Sequence, residues 1–370
     1  MRLQTAIDRY LKEALDVPHD KRLATSSSFV QARAKLSHMA FVEANVLSVN
    51  YFYDKLNTTS YNGYRLIAID GTVLTVPKTS NNVKEFGKNV LSTNAKWLKA
   101  QVSFATDILN NICIDAQIGA YKESERDMAV QQINKLGPGN LYLFDRGYYS
   151  HGLLKTLDAT SNEYCFRVQR KANKEIIDFV NDSNRTDEIV SIDNIKVRLT
   201  KVELDNGETE YLLSSLLDFE KYTKEELKKL YHLRWGIEEQ YKDIKHAITI
   251  ENFSGKSPEF IKQDFYAKIL SYNLSMMLFK DNVERVANKP VKGKAKRKYK
   301  YKANKRAILS KFKEAYIKLF LKAGSIIEVI LDAVISIAKE AVPIITNRHY
   351  PRAITYKAKI KTSRTYIAVT

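Results

Sequence analysis

Three acids stand where side chains are able to do chemistry. Asp70 follows the apolar run "RLIAI", Asp145 follows "LYLF", and Glu238 lies within "YHLRWGIEEQYKDIK", residues 231–245. An acid that ends an apolar strand loses water as the chain folds, so it needs a cation, a metal ion or hydrogen-bond donors in return. Neighbouring strands of one sheet bring such ends together, and a later helix projects a third acid onto the same edge. Two plainer readings stand beside this one: Asp70 caps a turn at Gly71, and Asp145 pairs with Arg146. Three carboxylates without His or Cys form a hard oxygen set that suits Mg²⁺ or Mn²⁺, ions that retain waters and take further ligands from phosphate oxygens. Such a set serves two-metal phosphoryl transfer, one ion activating the attacking oxygen and the other stabilising the leaving oxygen.

The residues around Glu238 fit the same chemistry. At about 100° per residue, Tyr231, Arg234, Glu238 and Lys245 share a sector of roughly 60° on one helix face. Leu230, Leu233, Ile237 and Ile244 form the neighbouring arc that such a helix buries. Glu239 points about 100° away from Glu238. Gly236 costs about 1 kcal/mol relative to Ala inside a helix, which marks a place where another backbone or side chain comes close. Tyr231, Arg234 and Lys245 are suited to hold phosphates around a metal, the arginine through a two-pronged contact. The alternative for the stripe is a solvated face with i,i+4 charge pairs. Neither a G-x-S-x-G elbow nor a glycine-rich phosphate loop occurs, and no two histidines have helical metal-ligand spacing.

These residues need a scaffold, and the periodicity predicts one. Residues 1–57 read as helical, with Ser26 to Ser28 and Ser37 as caps and Gln31, Arg33 and Lys35 on a polar face. Two short helices joined by a tight turn suit a DNA-binding element, an ordinary helical subdomain being the alternative. From residue 64 the period becomes that of strands. "YRLIAIDGTVLTVP" predicts a strand, a turn at Gly71 and a second short strand; "KAQVSFATDILNNICIDAQIGA" predicts a hairpin turning near Asn110 and Asn111. A helix over "ESERDMAVQQINKL", the strand "NLYLFD", another helix and the strand "YCFRVQ" complete a mixed α/β sheet. Residues 171–217 read as a β-strand insertion, a long helix follows from about 222 to 248, and the chain ends in helices.

Composition narrows the partners. The 370 residues carry a net charge of +18, a long-range positive field whose usual targets are nucleic-acid phosphates or an anionic membrane surface. Residues 289–306, "KPVKGKAKRKYKYKANKR", hold ten basic residues and no acid; Lys296, Arg297 and Lys298 are its densest part and candidate phosphate contacts. After Glu340 the sequence has six Lys and Arg and again no acid. Two cysteines, Cys113 and Cys165, allow neither a disulfide framework nor a cysteine zinc site, which fits a reducing cytosol. The N-terminus lacks the apolar core of a signal peptide. "SIIEVILDAVISIAKEAVPII" is interrupted by Glu328, Asp332, Lys339 and Glu340, so a packed amphipathic helix is expected there and no membrane partner.

Together, "AIDGTVLTVP", "LYLFDRGYYS" and Tyr231-x2-Arg234-x3-Glu238-x6-Lys245 resemble the DDE transposases of bacterial insertion sequences, in the branch marked by a Tyr-Arg-Glu-Lys signature and a β-strand insertion. The resemblance covers nearly the whole chain, since "SSSFVQARAKLSHMAF" resembles the N-terminal helical region of these proteins. It implies a ribonuclease H-like core with Asp70, Asp145 and Glu238 as ligands of two Mg²⁺ ions, replaceable by Mn²⁺. It implies a helical DNA-binding region at 1–57, core segments at 58–170 and 218–285 around the insertion at 171–217, and a basic C-terminal region at 286–370. It further implies cut-and-paste transposition: hydrolysis at the terminal inverted repeats, then 3′-OH attack on target DNA by a homodimer at the nucleoid in the cytoplasm. Arg146 is a further expected DNA contact. Some members stack a flipped base on an insertion-domain tryptophan; the loosely matching residue here is Tyr211, a ring able to stack a base. The competing readings are a nuclease that cuts without joining and an architectural or catalytically decayed DNA-binding protein.

Overall fold

Alternation of apolar residues with period two places Leu66 and Ala68 on one face of a strand, and Leu141 and Leu143 on the same face of its neighbour. That face is the floor on which the candidate site is built. The computed structural model describes residues 3–15, 22–87, 98–204, 207–244, 248–290, 298–321 and 326–345. Its elements are α1 (Leu3–Leu15), α2 (Ser26–Ala34), α3 (Met39–Lys55), β1 (Arg65–Val76), α4 (Ser80–Phe86), β2 (Leu98–Asp107), β3 (Ile112–Ala120), α5 (Glu125–Leu136), β4 (Asn140–Phe144), α6 (His151–Ala159) and β5 (Glu163–Arg167). There follow α7 (Lys174–Asn181), β6 (Asp187–Ile192), β7 (Ile195–Glu203), β8 (Thr209–Ser214), α8 (Lys224–His232), α9 (Trp235–Lys242), α10 (Pro258–Ala287), β9 (Tyr301–Lys302), α11 (Lys305–Leu321), α12 (Ile326–Ala338) and β10 (Val342–Pro343).

The chain forms two units, one of Val49–Thr75 and Val83–Tyr241, the other of Met1–Ser48, Val76–Asn82 and Lys242–Thr370. The first unit holds an eight-stranded sheet in the order β3-β2-β1-β4-β5-β8-β7-β6. β4 runs parallel to β1 and to β5, while β2 and β3 form an antiparallel hairpin. This is the mixed α/β sheet that the sequence predicts. The hairpin turns where expected: the carboxylate of Asp107 accepts from the amides of Leu109 and Asn110, and Asn111 adopts φ 59°. The strands of the insertion do not build a sheet of their own; β8 pairs antiparallel with β5, and β7 and β6 extend the same sheet.

Three expectations are corrected by the backbone. β1 is continuous from Arg65 to Val76, with no turn at Gly71. The glycine serves close approach instead, since a Cβ there would lie 2.5 Å from Cδ of Glu125. The insertion opens with α7, whose Ile176 and Phe179 are buried three residues apart, a helical period hidden in a short segment. The long helix expected over 222–248 is broken into α8 and α9. Between them the amides of Arg234, Gly236 and Ile237 bond to the carbonyls three residues back, at 3.0, 2.9 and 3.1 Å, which winds the backbone into one tight turn.

The second unit is mainly helical, with β9 and β10 paired as a small antiparallel sheet. α10 buries Ile261, Phe265, Ile269, Met276, Phe279 and Val283 along its length, and α11, α12 and α1 pack within this unit. α2 is capped by Thr25, one residue before the predicted serines, in a reciprocal arrangement with Ser28. Ser37 Oγ accepts from the Met39 amide at the start of α3, as expected of a cap. α12 is less buried than predicted: Ala333, Val334 and Ile337 face inward, while Ile326, Ile327, Leu331 and Ile335 are exposed. Among the described residues, no helix is long and apolar enough to cross a membrane. Both cysteines are buried, and neither forms a disulfide.

Candidate active site

The register explains why Asp70 and Asp145 come together. Arg65 pairs with Asn140 and Ala68 with Leu143, a constant offset of 75 that carries Asp70 to the position beside Asp145, just past the last paired residues. Each acid lies two residues beyond Ala68 or Leu143, so both project from the same sheet face. Onto that face pack Leu227, Leu230, Tyr231 and Ile237 of α8 and α9, against Leu66, Ala68, Leu141, Leu143 and Cys165. Full burial of such side chains contributes about 1.5–3 kcal/mol each, enough to fix the helix pair over the strand ends. Gly236 allows this approach: a Cβ there would stand 3.4 Å from the Ile108 side chain.

The turn between the helices aims Arg234 at the acids. Its guanidinium is buried, and Nη2 donates to Glu238 Oε1 at 3.3 Å. Burial alone would lower the arginine's pKa, but Tyr231, Asp145, Asp70 and Glu238 outweigh it and the net shift is upward. Arg234 is therefore the counter-charge shared by all three predicted acids. Asp70 is pushed up to about 6, first by burial; Glu125 and Asp145 add to the rise, while the Gly71 amide and Arg234 oppose it. That amide donates to Asp70 Oδ1 at 2.9 Å, and the Tyr241 hydroxyl donates to the Asp70 carbonyl. Three buried donor atoms around the acids have no hydrogen-bond acceptor: Arg234 Nε and the hydroxyls of Tyr148 and Tyr231. Unpaired donors facing clustered carboxylates suit a site built to receive further oxygen atoms.

Arg146 and Tyr211 line one cleft, of about 820 Å³ beside Asp145, with Arg167, Gln169, Arg170 and Glu210. Arg167 pairs with Glu210 at 3.0 Å, and the Arg170 guanidinium lies 5.4 Å from the Tyr211 ring centre. Tyr211 is buried under that cation, so a base would have to displace Arg170 to stack on the covered face. Arg33 donates to Gln263, Ser254, Asp264 and the Phe260 carbonyl, which takes up its guanidinium inside the helical unit. Lys35 and Lys298 are exposed. Lys245, Lys296 and Arg297 lie outside the described residues, as does the side chain of Glu239.

Glu125, at the first position of α5, was missed. Nothing in its local sequence sets it apart from the acids of any helix start, and only the close approach to Gly71 brings it to Asp70. Among the described residues, no three His, Cys, Asp or Glu side chains already surround a point where a metal ion could sit. The donor set nevertheless fits a divalent ion: hard carboxylate oxygens, one of them with a raised pKa, crowded around a single guanidinium.

The transposase DDE domain family matches residues 61–274, a span that contains all three acids. The chain belongs to this family. Its members generally use divalent metal ions. The chain is 25% identical over 277 residues to the transposase InsG for insertion sequence element IS4 of Escherichia coli (strain K12), a match covering 70% of this chain and 62% of that protein. It thus spans less than two thirds of that relative's length. A cryo-EM structure of the piggyBac transposase synaptic complex with hairpin DNA is similar at a TM-score of 0.42 and 11% identity, covering 74% of this chain and 57% of that one.

Proposed function

We propose that the protein is a DNA transposase that cuts the ends of an insertion sequence and joins them to target DNA, working at the nucleoid as a homodimer. One observation carries the reading: in a chain of the DDE family, Asp70 within β1 and Asp145 just past the end of the parallel β4 stand in matched register beneath Arg234 and Glu238. Asp70, Asp145 and Glu238 would hold Mg²⁺ or Mn²⁺, two ions in all, which supply charge stabilisation and activation of the attacking oxygen. Arg234 offers Nε and the rest of its guanidinium fork to a phosphate, a planar contact that lysine does not reproduce. Tyr231 adds a hydroxyl donor from the preceding turn, which belongs to the Tyr-Arg-Glu-Lys signature together with Lys245. Arg146, Arg167 and Arg170 give the cleft beside Asp145 the charge to track a DNA backbone. Tyr211 contributes there by holding Arg170 in place.

The test is Mg²⁺-dependent cleavage of a labelled duplex carrying the terminal repeat and its flank. Asp145→Asn and Glu238→Gln are expected to abolish cutting while retaining binding, and Glu239→Gln to cut normally. Normal cutting by Asp145→Asn would sink the assignment. Cutting without joining of the freed 3′ end to a second duplex would favour the nuclease reading, and tight binding without any cutting the architectural one.

A further inference from the structure

The predicted acids meet on one face of the sheet, where β4 ends beside the middle of β1, and a fourth acid approaches β1 there from the other face. Successive side chains of β1 alternate between faces, so Gly71 presents its missing Cβ away from the face that carries Asp70. Glu125 fills that space: its Cδ and Oε1 lie 2.5 and 2.6 Å from where a Cβ would be. Oε1 accepts from Gln101 Nε2 at 2.8 Å, which orients the carboxylate. The residue is exposed at the start of α5, open to a solvated ion.

A second, independent feature lies at the same place. Tyr148 is 3% exposed, and its hydroxyl oxygen lies beside the Gly71 amide while its proton has no acceptor. A tight turn, in which its amide donates to the Asp145 carbonyl at 3.0 Å, folds it back against Phe144, and its hydroxyl feels the charges of Asp70, Glu125 and Asp145. A buried donor held among acids, bonded to none of them, is placed for an oxygen brought by a ligand, such as a water of a hydrated cation.

We propose that Glu125 is a fourth acid of the cation site, taking a divalent ion jointly with Asp70, directly or through a bound water, and that Tyr148 donates to a ligand oxygen of that ion. The proposal rests on the cation-dependent reading above. The experiment is Mn²⁺ titration of the full chain, free ion being followed by electron paramagnetic resonance, with native protein, Glu125→Gln, Asp127→Asn and Asp70→Asn. Glu125→Gln keeps the size of the side chain and its hydrogen bond to Gln101, and Asp127→Asn removes a charge from the same helix turn without touching the site. Loss of an orienting or ligating acid at such a site lowers metal affinity by about 10–100-fold. The expected result is at least a tenfold loss for Glu125→Gln and native affinity for Asp127→Asn. Equal losses for these two would reduce the effect to general charge and overturn the proposal, as would native affinity for Glu125→Gln when Asp70→Asn is impaired. Native affinity in all three variants would instead bring down the cation reading itself.

Discussion

Tyr148 shows what a single atom contributes at this edge. A buried hydroxyl without an acceptor destabilises a fold by about 1–3 kcal/mol relative to one that is satisfied, and an apolar replacement of the same shape removes that penalty. Tyr148→Phe is accordingly expected to hold or raise stability to urea by up to about 1 kcal/mol, while slowing end cleavage at least tenfold. Parallel loss of stability and activity would mean that the hydroxyl is structural. The site residues differ in how readily the sequence gives them away. Asp70 and Asp145 are legible because each ends an apolar run, a place where an acid is conspicuous. Glu238 is legible through its spacing from Tyr231 and Arg234. Glu125 is not, because its position depends on the glycine of another strand, a relation that no local pattern encodes. Arg33 was read as a free cation for the same reason in reverse: its partners Asp264 and Gln263 lie some 230 residues away.

At the scale of elements, burial leaves a titration that is measurable in α10. Lys268 donates to the carbonyls of Thr249 and Asn252, yet its pKa is lowered to about 8, chiefly by burial, with Lys313 and Arg33 adding and Asp264 opposing. The unfolded chain holds this proton up to about 10.4, whereas the folded chain releases it near 8. Between those values the unfolded state binds more protons, so the stability contributed by this group rises with pH; below about 8 both states are charged and the cost of burial is constant. The stability of native protein minus that of Lys268→Met should therefore climb by about 2.5 kcal/mol from pH 8 to pH 10.5 and stay flat from pH 6 to pH 7.5. A flat difference throughout would show that the lysine keeps its ordinary pKa. Element types were largely legible from the period of apolar residues. The errors fell where two periods or two conformations compete: a glycine inside a strand, which signals a turn as strongly as a close approach, and the turn at Leu233–Arg234, where bonds to the third residue replace bonds to the fourth. That turn is the element that aims Arg234 inward, so the departure from regular helix coincides with the site.

For the whole molecule the governing quantity is a net charge of +18. Charge at this scale acts through counterion release: each phosphate neutralised by a Lys or Arg contributes about −0.9 to the slope of log affinity against log salt on duplex DNA. A footprint of roughly 6–10 phosphates would weaken binding by about 10³–10⁵ between 50 and 200 mM salt. The acids at the strand ends work against this field, since like charges next to a phosphate repel it until cations intervene. Binding and cutting should thus separate cleanly. In chelator, Asp145→Asn is expected to bind an element end at least as tightly as native protein with an unchanged salt slope, because a carboxylate is lost and no phosphate contact with it. Arg167→Gln and Arg170→Gln remove cations from the cleft beside Asp145 and should each lower the magnitude of the slope by about 1. Fluorescence anisotropy across a salt series measures all three. Arginine variants that lose affinity without any change of slope would show that the cleft does not touch phosphate, and would move the DNA path to the basic segments beyond residue 289.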